Sequence, residues 1–235
     1  MTELTDTNVH FHQELDALEQ AVLGVVDRAQ HMVALAVDAV VESDMEKAEE
    51  VINLNRRIDE SYLEVHNEWT RLMALNQPLG PDLRRMAVLL QLNITFERMG
   101  DQCENIAKIA QFNSGLPQVE RIRDQIQEMG DLVRPMIRTA SDAYVRQDLD
   151  EARLLPSMDE PVDRLNANMY KETVAVGNNP KLLEWATKML MASRALERIG
   201  DQAVDFAEQT AYLITGERAQ FDEKGLNRQG DDDPS

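Results

Sequence analysis

The chain has 235 residues, of which 43% are hydrophobic and 5% aromatic, so Leu, Ala, Met, Val and Ile carry its apolar content. This composition is more typical of a helical bundle than of a sheet. The formal net charge of −19 argues against direct binding to nucleic acid or anionic lipid. With one cysteine, no secretory-signal pattern and no apolar run near the ~20 residues that span a bilayer, we expect a cytoplasmic protein.

Three long helices are predicted in the first half of the chain, because apolar residues recur there at alternating spacings of three and four. The three apolar seams run from Leu15 to Ala39, from Ala48 to Leu72 and from Leu89 to Ala110. The polar turn at 42–44 and the segment 76–82, with two prolines and a glycine, separate them. Short connections of this kind favour antiparallel neighbours.

The second half of the chain repeats this plan. The seam from Val119 to Ala143 aligns with the first seam at a shift of 104 residues. At a shift of 100 residues, the hexamers at 97–102 and 197–202 both read Glu-Arg-X-Gly-Asp-Gln. We therefore predict an internal duplication. The expected fold is an all-α tandem repeat of two antiparallel three-helix bundles with six long helices, divided into a first repeat at 10–113, a second repeat at 118–215 and an acidic disordered tail at 216–235.

Three prolines interrupt the helical pattern of the second repeat. Pro135, Pro156 and Pro161 all fall within predicted helices, where each removes a backbone hydrogen bond and favours a kink or a break. We keep these helices and expect distortion near Asp159, which replaces an apolar residue on its seam. A buried carboxylate needs a partner, so this aspartate requires either a ligand or relief from the distortion.

Catalytic signatures are missing from the sequence. There is no Gly-rich phosphate loop, nucleophile elbow, cysteine pair or His-Glu-X-X-His motif. The Glu-X-X-His ligands of ferritin-like di-iron enzymes are also missing. The sequence therefore favours a protein that is not an enzyme.

Acidic residues recur in both repeats. Glu97 and Asp101 lie one helical turn apart, Glu197 and Asp201 repeat this spacing, and Asp205 continues the second row. On the preceding helices, the equivalent positions pair Asp59 with Asp163 and Asn55 with Asp159.

Like charges four residues apart cost a helix roughly 0.2–0.5 kcal/mol per pair, a cost that a bound cation offsets. The alternative is pairing with Arg98 and Arg198, each three residues before an aspartate of the row. The helical phase places Glu97 and Asp101 away from the main seam. A metal there would lie on the bundle surface or between the two units.

Gly100 and Gly200 occupy matched positions beside these acids. A glycine inside a helix costs about 1 kcal/mol relative to alanine. Its presence at both positions favours a close helix approach or close access for a ligand, and the first of these is the commoner cause. Cys103 lies on a seam and is interpreted as a buried apolar group.

The doubled three-helix plan and the paired motifs Glu97–Ala107 and Glu197–Ala207 strongly resemble the PhoU family, from about residue 10 to 215. The resemblance implies a cytoplasmic, non-enzymatic negative regulator of phosphate uptake and phosphate-starvation signalling. Its implied partners are the ATPase subunit of a phosphate ABC transporter and a sensor histidine kinase. It also implies metal ions, such as iron, zinc or another divalent cation, bound by acidic motifs in both repeats. Carried onto this chain, the implied metal ligands are Glu97, Asp101, Asp59, Glu197, Asp201, Asp205, Asp159 and Asp163.

Asn55 and Asn105 stand where acids would complete the first site, so we expect the second repeat to be the better-furnished metal site. No basic anion-binding cluster stands out in the sequence, and we expect phosphate status to arrive through the partners. Two alternatives stay open: a metal-free helical scaffold whose acids only pair with arginine, and a carboxylate di-metal enzyme. The sequence leaves the metal and the oligomeric state open, a homodimer included.

Overall fold

The computed structural model describes residues 2–112, 115–218, 220, 221 and 225, with side chains described from Val9 onward. Within these ranges the helices are, in chain order, α1 (Thr2–Leu23), α2 (Val26–Glu42), α3 (Met45–Asn76), α4 (Pro81–Phe112), α5 (Glu120–Arg146), α6 (Leu149–Ala152), α7 (Leu155–Ala175) and α8 (Pro180–Thr215). None of these described helices is long and apolar enough to cross a membrane.

The eight helical segments form the six long helices that the sequence predicts, since two of them are interrupted. The first breaks at Gly24, between α1 and α2, although every seam residue from Leu15 to Ala39 is buried on either side of the break. The fifth breaks at Arg153–Leu154, between α6 and α7. The prediction of an all-α tandem repeat of two three-helix units is confirmed.

Capping side chains fix where several helices begin. The Asp44 carboxylate accepts hydrogen bonds from the backbone N–H groups of Glu46 at 2.9 Å and Lys47 at 3.2 Å, and so starts α3. The Asn179 side chain starts α8 in the same way. These contacts satisfy N–H groups that a helix leaves without partners in its first turn.

The two repeats share one hydrophobic core. Antiparallel α4 and α8 pack along the middle of the molecule, where the Phe96 and Phe206 rings meet edge to face with centroids 5.5 Å apart. Helices α2 and α5 also pack against each other across the repeats. The outer helices are α3, which packs on α2 and α4, and α7, which packs on α5 and α8. The acids of the sequence motif therefore lie where an outer helix meets a central one.

The prolines act mainly on the fifth long helix. Pro156 stands in the first turn of α7, just after the break at Arg153–Leu154, where a proline costs no hydrogen bond. Pro135 and Pro161 lie inside α5 and α7, which continue through them. The expected distortion near Asp159 is thus a break before Pro156 rather than a loss of the helix.

The segment after α8 differs in part from the predicted disordered tail. Phe221 is buried, and its backbone N–H donates a hydrogen bond of 2.8 Å to Glu208 Oε1. Gly225 is buried too, and a Cβ added to it would lie 2.1 Å from the Arg153 carbonyl oxygen. An aromatic side chain that gains apolar contacts holds this part of the segment against the body. The rest of the predicted tail, residues 219, 222–224 and 226–235, lies outside the described residues.

Candidate metal centre

Three predicted ligands of the first repeat meet at the junction of α3 and α4. Asp59 on α3 and Glu97 and Asp101 on α4 each present a carboxylate oxygen, and the three oxygens lie within 4.8 Å of one another. Oxygen ligands of divalent ions stand about 2.0–2.6 Å from the metal, so oxygens this close can share one ion. Asp59 is exposed and the other two are half-buried, which agrees with the surface location that helical phase predicts.

The charges of this triad oppose one another. Burial raises the pKa of Asp59, and the charges of Asp101 and Glu104 raise it further. Burial likewise raises the pKa of Glu97, as do Asp101 and Asp59, while Arg98 lowers it by less. Both carboxyls thus hold their protons more tightly than usual, the expected result when like charges converge without enough compensating cation.

The arginine alternative is not realised as ion pairs. Among the described residues, no ion pair joins Arg98 to Asp101 or Arg198 to Asp201. Arg98 lowers the pKa of Glu97 in its own repeat and that of Asp205 across the repeat boundary, in each case against the stronger effect of burial. The acids of the two motifs therefore keep most of their mutual repulsion.

In the second repeat, Asp159 is the most buried of the predicted ligands. Its side chain is 7% exposed, and no hydrogen-bond partner for its Oδ1 is found among the described residues. Burial raises the pKa of Asp159 to about 7, with further contributions from Asp163, Asp201 and Glu197. A buried carboxylate oxygen without a donor is costly, and a cation would satisfy it.

Asp159 lies in a cleft between α7 and α8 where acids predominate. Burial and the charges of Glu197, Asp163 and Asp205 raise the pKa of Asp201 to about 6, with a smaller opposing effect from Arg198. The cleft also contains Glu160 and Glu208, which sequence reasoning missed; Glu208 lies seven residues after Asp201, on the same helix face. The lining residues are Pro156, Asp159, Glu160, Asp163, Asp201, Val204, Asp205, Glu208, Gln220 and Phe221.

The two repeats differ in what occupies one matched position. In the first repeat, Asn55 Nδ2 donates to Asp101 Oδ1 at 3.3 Å and to Glu104 Oε2 at 3.4 Å. In the second, Asp159 brings another negative charge instead. The second cluster has more acids, whereas the compact triad of oxygens found among the described residues is in the first.

The matched glycines make room for these side chains. A Cβ added to Gly100 would lie 2.3 Å from Asn55 Oδ1, and one added to Gly200 would lie 2.4 Å from Asp159 Oδ1. Real Cβ atoms do not come this close to an oxygen, so only glycine lets the neighbouring helix bring its oxygen against the backbone. The close approach expected from the sequence is therefore made by one side-chain oxygen in each repeat.

Cys103 does not contribute a ligand. It is fully buried in the core, and burial raises the pKa of its thiol to about 12. Metals bind the thiolate form, so the sequence interpretation of Cys103 as an apolar group is confirmed.

Four positively charged side chains lie together at a place that no sequence motif predicts. Where the end of α4 meets the start of α8, Lys108, Lys188, Arg194 and Arg198 line one groove. Sequence reasoning missed this group, because Lys108 lies 80 to 90 residues before the other three cations and joins them only when the repeats pack.

Comparison with known proteins gives consistent matches over most of the chain. The family described as PhoU domain matches twice, at residues 22–110 and 126–210. A protein of Clostridium acetobutylicum named phosphate-specific transport system accessory protein PhoU homolog is 30% identical over 215 residues, which are 91% of this chain and 98% of that protein. A protein of the same name from Caulobacter vibrioides is 31% identical over 218 residues, covering 92% and 94%.

Two crystal structures resemble the fold closely. PhoU from Pseudomonas aeruginosa has a TM-score of 0.82 and 29% identity, over 88% of this chain and all of that one. The phosphate transport system regulatory protein PhoU from Streptococcus pneumoniae has a TM-score of 0.81 and 28% identity, over 89% and 99%. The similarity thus extends over nearly the full length of each relative.

Proposed function

Because the chain belongs to the PhoU family, we propose that it is a negative regulator of phosphate uptake and of phosphate-starvation signalling. Its broader role, in the regulation of phosphate transport, follows from relatives that are named accessory proteins of that system. In the proposed mechanism it is an adaptor that contacts the ATPase subunit of a phosphate ABC transporter and a sensor histidine kinase. The observation that carries the proposal is that both repeats match one family, and that the match covers nearly the full length of the relatives compared.

The experiment is a deletion and complementation test. Removing the gene should switch on phosphate-starvation promoters in phosphate-replete cells, and the wild-type chain should switch them off again. Purified protein should also retain the transporter ATPase subunit and the kinase in a pull-down from replete cells. Unchanged promoter activity in the deletion strain, together with recovery of neither partner, would contradict the regulator function.

We further propose that carboxylates of both repeats bind metal ions, with iron, zinc or another divalent cation as the candidates. In the first repeat the ligands are Asp59, Glu97 and Asp101, whose oxygens are close enough to share an ion. In the second they are Asp159, Asp163, Glu197, Asp201 and Asp205. The observation that favours the second site is the buried carboxyl of Asp159, whose pKa is raised by burial and by the charges of Asp163, Asp201 and Glu197. Acids that raise one another's pKa gain most from a cation, since it cancels the repulsion within each cluster.

Metal analysis of protein purified without chelator tests this assignment. Replacing Glu97 and Asp101 by alanine should remove the metal of the first repeat only, and replacing Glu197 and Asp201 that of the second only. Asp124 and Glu128 on α5 are exposed carboxylates four residues apart and outside both clusters, so the variant with alanine at these two positions is the matched control. Equal metal content in all four proteins would contradict the proposed ligands.

A metal-free scaffold and a di-metal enzyme are the rival functions. The scaffold predicts no bound metal and an unchanged melting temperature in the variants. The enzyme is disfavoured because three of the histidines, His10, His12 and His31, contact Glu14, Asp82 and Glu50, which belong to neither cluster. Turnover of an oxygen or ester substrate by metal-loaded protein, lost in the cluster variants, would favour it.

The proposed location is the cytoplasm, with contact to the membrane only through partners. The charge of −19 favours basic or apolar protein faces as contacts and disfavours nucleic acid. A homodimer is compatible with these proposals, and light scattering of the purified chain would determine the oligomeric state.

A further inference from the structure

The packing of α4 against α8 creates two grooves that the duplication relates to each other. Helices α4 and α8 are antiparallel and correspond at a shift of 100 residues. The groove between the end of α4 and the start of α8 is therefore equivalent to the groove between the start of α4 and the end of α8. The groove volumes are similar, about 570 and 550 Å³. Phe112 and Met191 in the first groove correspond to Tyr212 and Gln91 in the second. We call the first the basic groove and the second the covered groove.

The covered groove lies against a segment of this same chain. Arg218 and Gln220, from the segment after α8, line it together with Tyr212 and Gln91. The segment is held nearby by buried Phe221 and its hydrogen bond to Glu208. Two residues of the segment after α8 thus border this groove, whereas Phe221 itself lines the neighbouring acidic cleft.

The basic groove presents apolar surface to solvent. Phe112 and Met191 are 66% and 60% exposed, over the nearly buried Ile109. Lys188 donates a 2.8 Å hydrogen bond to the Phe112 carbonyl oxygen, and its Nζ lies 5.9 Å from the Phe112 ring centroid, so this edge of the groove is held in place. Large exposed apolar side chains grouped with cations are typical of contact surfaces for proteins.

The arginines of this groove are available to a partner. Among the described residues, Arg194 and Arg198 have neither an ion pair nor a hydrogen bond, and both are exposed on α8 one turn apart. Lys108 adds a third positive charge, shared with Glu104 at 3.1 Å. In the covered groove, the residues equivalent to Lys108 and Arg194 are Glu208 and Ile94. The basic groove is therefore a local positive region on a chain with a net charge of −19.

We propose that the basic groove binds an acidic, amphipathic segment of a partner protein. Its carboxylates would pair with Arg194, Arg198 and Lys108, and its apolar side chains would pack on Phe112 and Met191. A small anion would use the cations and leave the apolar surface exposed, whereas a peptide uses both. The proposal specifies the chemistry that a partner of the proposed adaptor would have. It rests on the proposed function for the identity of that partner, whereas the binding to the groove is independent of it.

The test uses the full chain and three labelled synthetic peptides of equal length, followed by fluorescence anisotropy. The first peptide places Glu and Leu on opposite faces of a helix around one Phe, the second replaces each Glu by Lys, and the third replaces each apolar residue by Ser. We expect the first to bind at least about tenfold more tightly than the other two, with affinity falling as salt increases.

Two variants connect the binding to the groove. Replacing Arg194 and Arg198 by alanine should weaken binding of the first peptide at least about tenfold, and Met191→Ser should weaken it about threefold or more. Replacing Arg134 and Arg138 by alanine on α5 changes the same charge at the same spacing and should leave affinity unchanged. Circular dichroism checks that these exposed substitutions leave the helix content intact.

Three results would overturn the proposal. The peptides could bind with equal affinity, or the Arg134 and Arg138 control could lose as much affinity as the groove variant. Vesicles of anionic lipid could bind as tightly as the first peptide and be insensitive to Met191→Ser, which would make the groove a site for lipid headgroups. None of these results bears on promoter repression or metal content, so failure here is distinct from failure of the proposed function.

Discussion

Replacing Asp159 by asparagine should stabilise the metal-free protein at alkaline pH. Burial raises the pKa of Asp159 from 3.8 to about 7. At pH 8 the folded state must hold this group ionised, at a cost of about 4 kcal/mol relative to the unfolded chain, since each pKa unit is worth about 1.4 kcal/mol. The amide that replaces it has a desolvation cost of its own, so we expect a net gain of at least about 2 kcal/mol.

The pH dependence follows from the direction of the change. A carboxyl whose pKa is higher in the folded state binds more protons there, so the free energy of unfolding falls as pH rises toward and through the folded pKa. Between pH 5 and pH 8, Asp159 alone should lower it by about 3 kcal/mol. Asp201, whose pKa is raised to about 6, acts in the same direction. Asp159→Asn should therefore flatten most of the pH dependence and leave the part due to Asp201.

Urea unfolding in excess chelator, at pH 5 and at pH 8, measures both effects. The first repeat supplies the converse variant, because Asn55→Asp puts a carboxylate at the matched buried position and should destabilise the protein more at pH 8 than at pH 5. The control is Asp150→Asn, since the Asp150 side chain is 94% exposed and should change stability by less than about 0.5 kcal/mol. The reasoning is refuted if Asp159→Asn is no more stable than wild type at pH 8, or if its advantage is the same at both pH values.

Three further outcomes are expected. Gly200→Ala should lower the free energy of unfolding in urea, although alanine favours a helix by about 1 kcal/mol, because the new Cβ would lie 2.4 Å from Asp159 Oδ1. Adding Asp159→Ala should recover the lost stability, and a double variant without recovery would contradict this explanation. The Cys103 thiol, whose pKa burial raises to about 12, should react with a disulfide reagent only as fast as the protein unfolds, and faster labelling of the native state would contradict its burial. Phe221→Ala should lower the free energy of unfolding by about 2 kcal/mol or more, whereas Leu79→Ala, at an 80% exposed position, should have little effect; equal losses would show that Phe221 is not anchored.

The helical core was predictable because its signal is periodic and local. All seam positions from Leu15 to Ala39 and from Leu89 to Ala110 are buried, since a regular spacing of apolar residues specifies one face of a helix. The break at Gly24 was not predicted, because the apolar spacing continues through it and backbone flexibility leaves no mark on the seam.

The candidate site was predictable only in part. The acids four residues apart and the matched glycines could be read from the repeat, and the buried position of Asp159 followed from its seam. The hydrogen bonds from Asn55 to Asp101 and Glu104 could not, because they depend on how two helices cross. The basic groove was missed for a similar reason, since its cations belong to different repeats and no short motif contains them.

The shared core has a consequence for how the two repeats respond to ligands. Phe96 and Phe206 pack against each other across the repeat boundary, so separating the repeats would expose the rings and much of the apolar surface around them to water. The chain should therefore melt as a single cooperative unit rather than as two domains in sequence. A cation held by one repeat alone would then raise the unfolding temperature of the whole molecule, by an amount set by its affinity and free concentration. In this way duplication has joined two copies of one helical unit into a single folding unit, in which the stability of each half depends on its packing against the other.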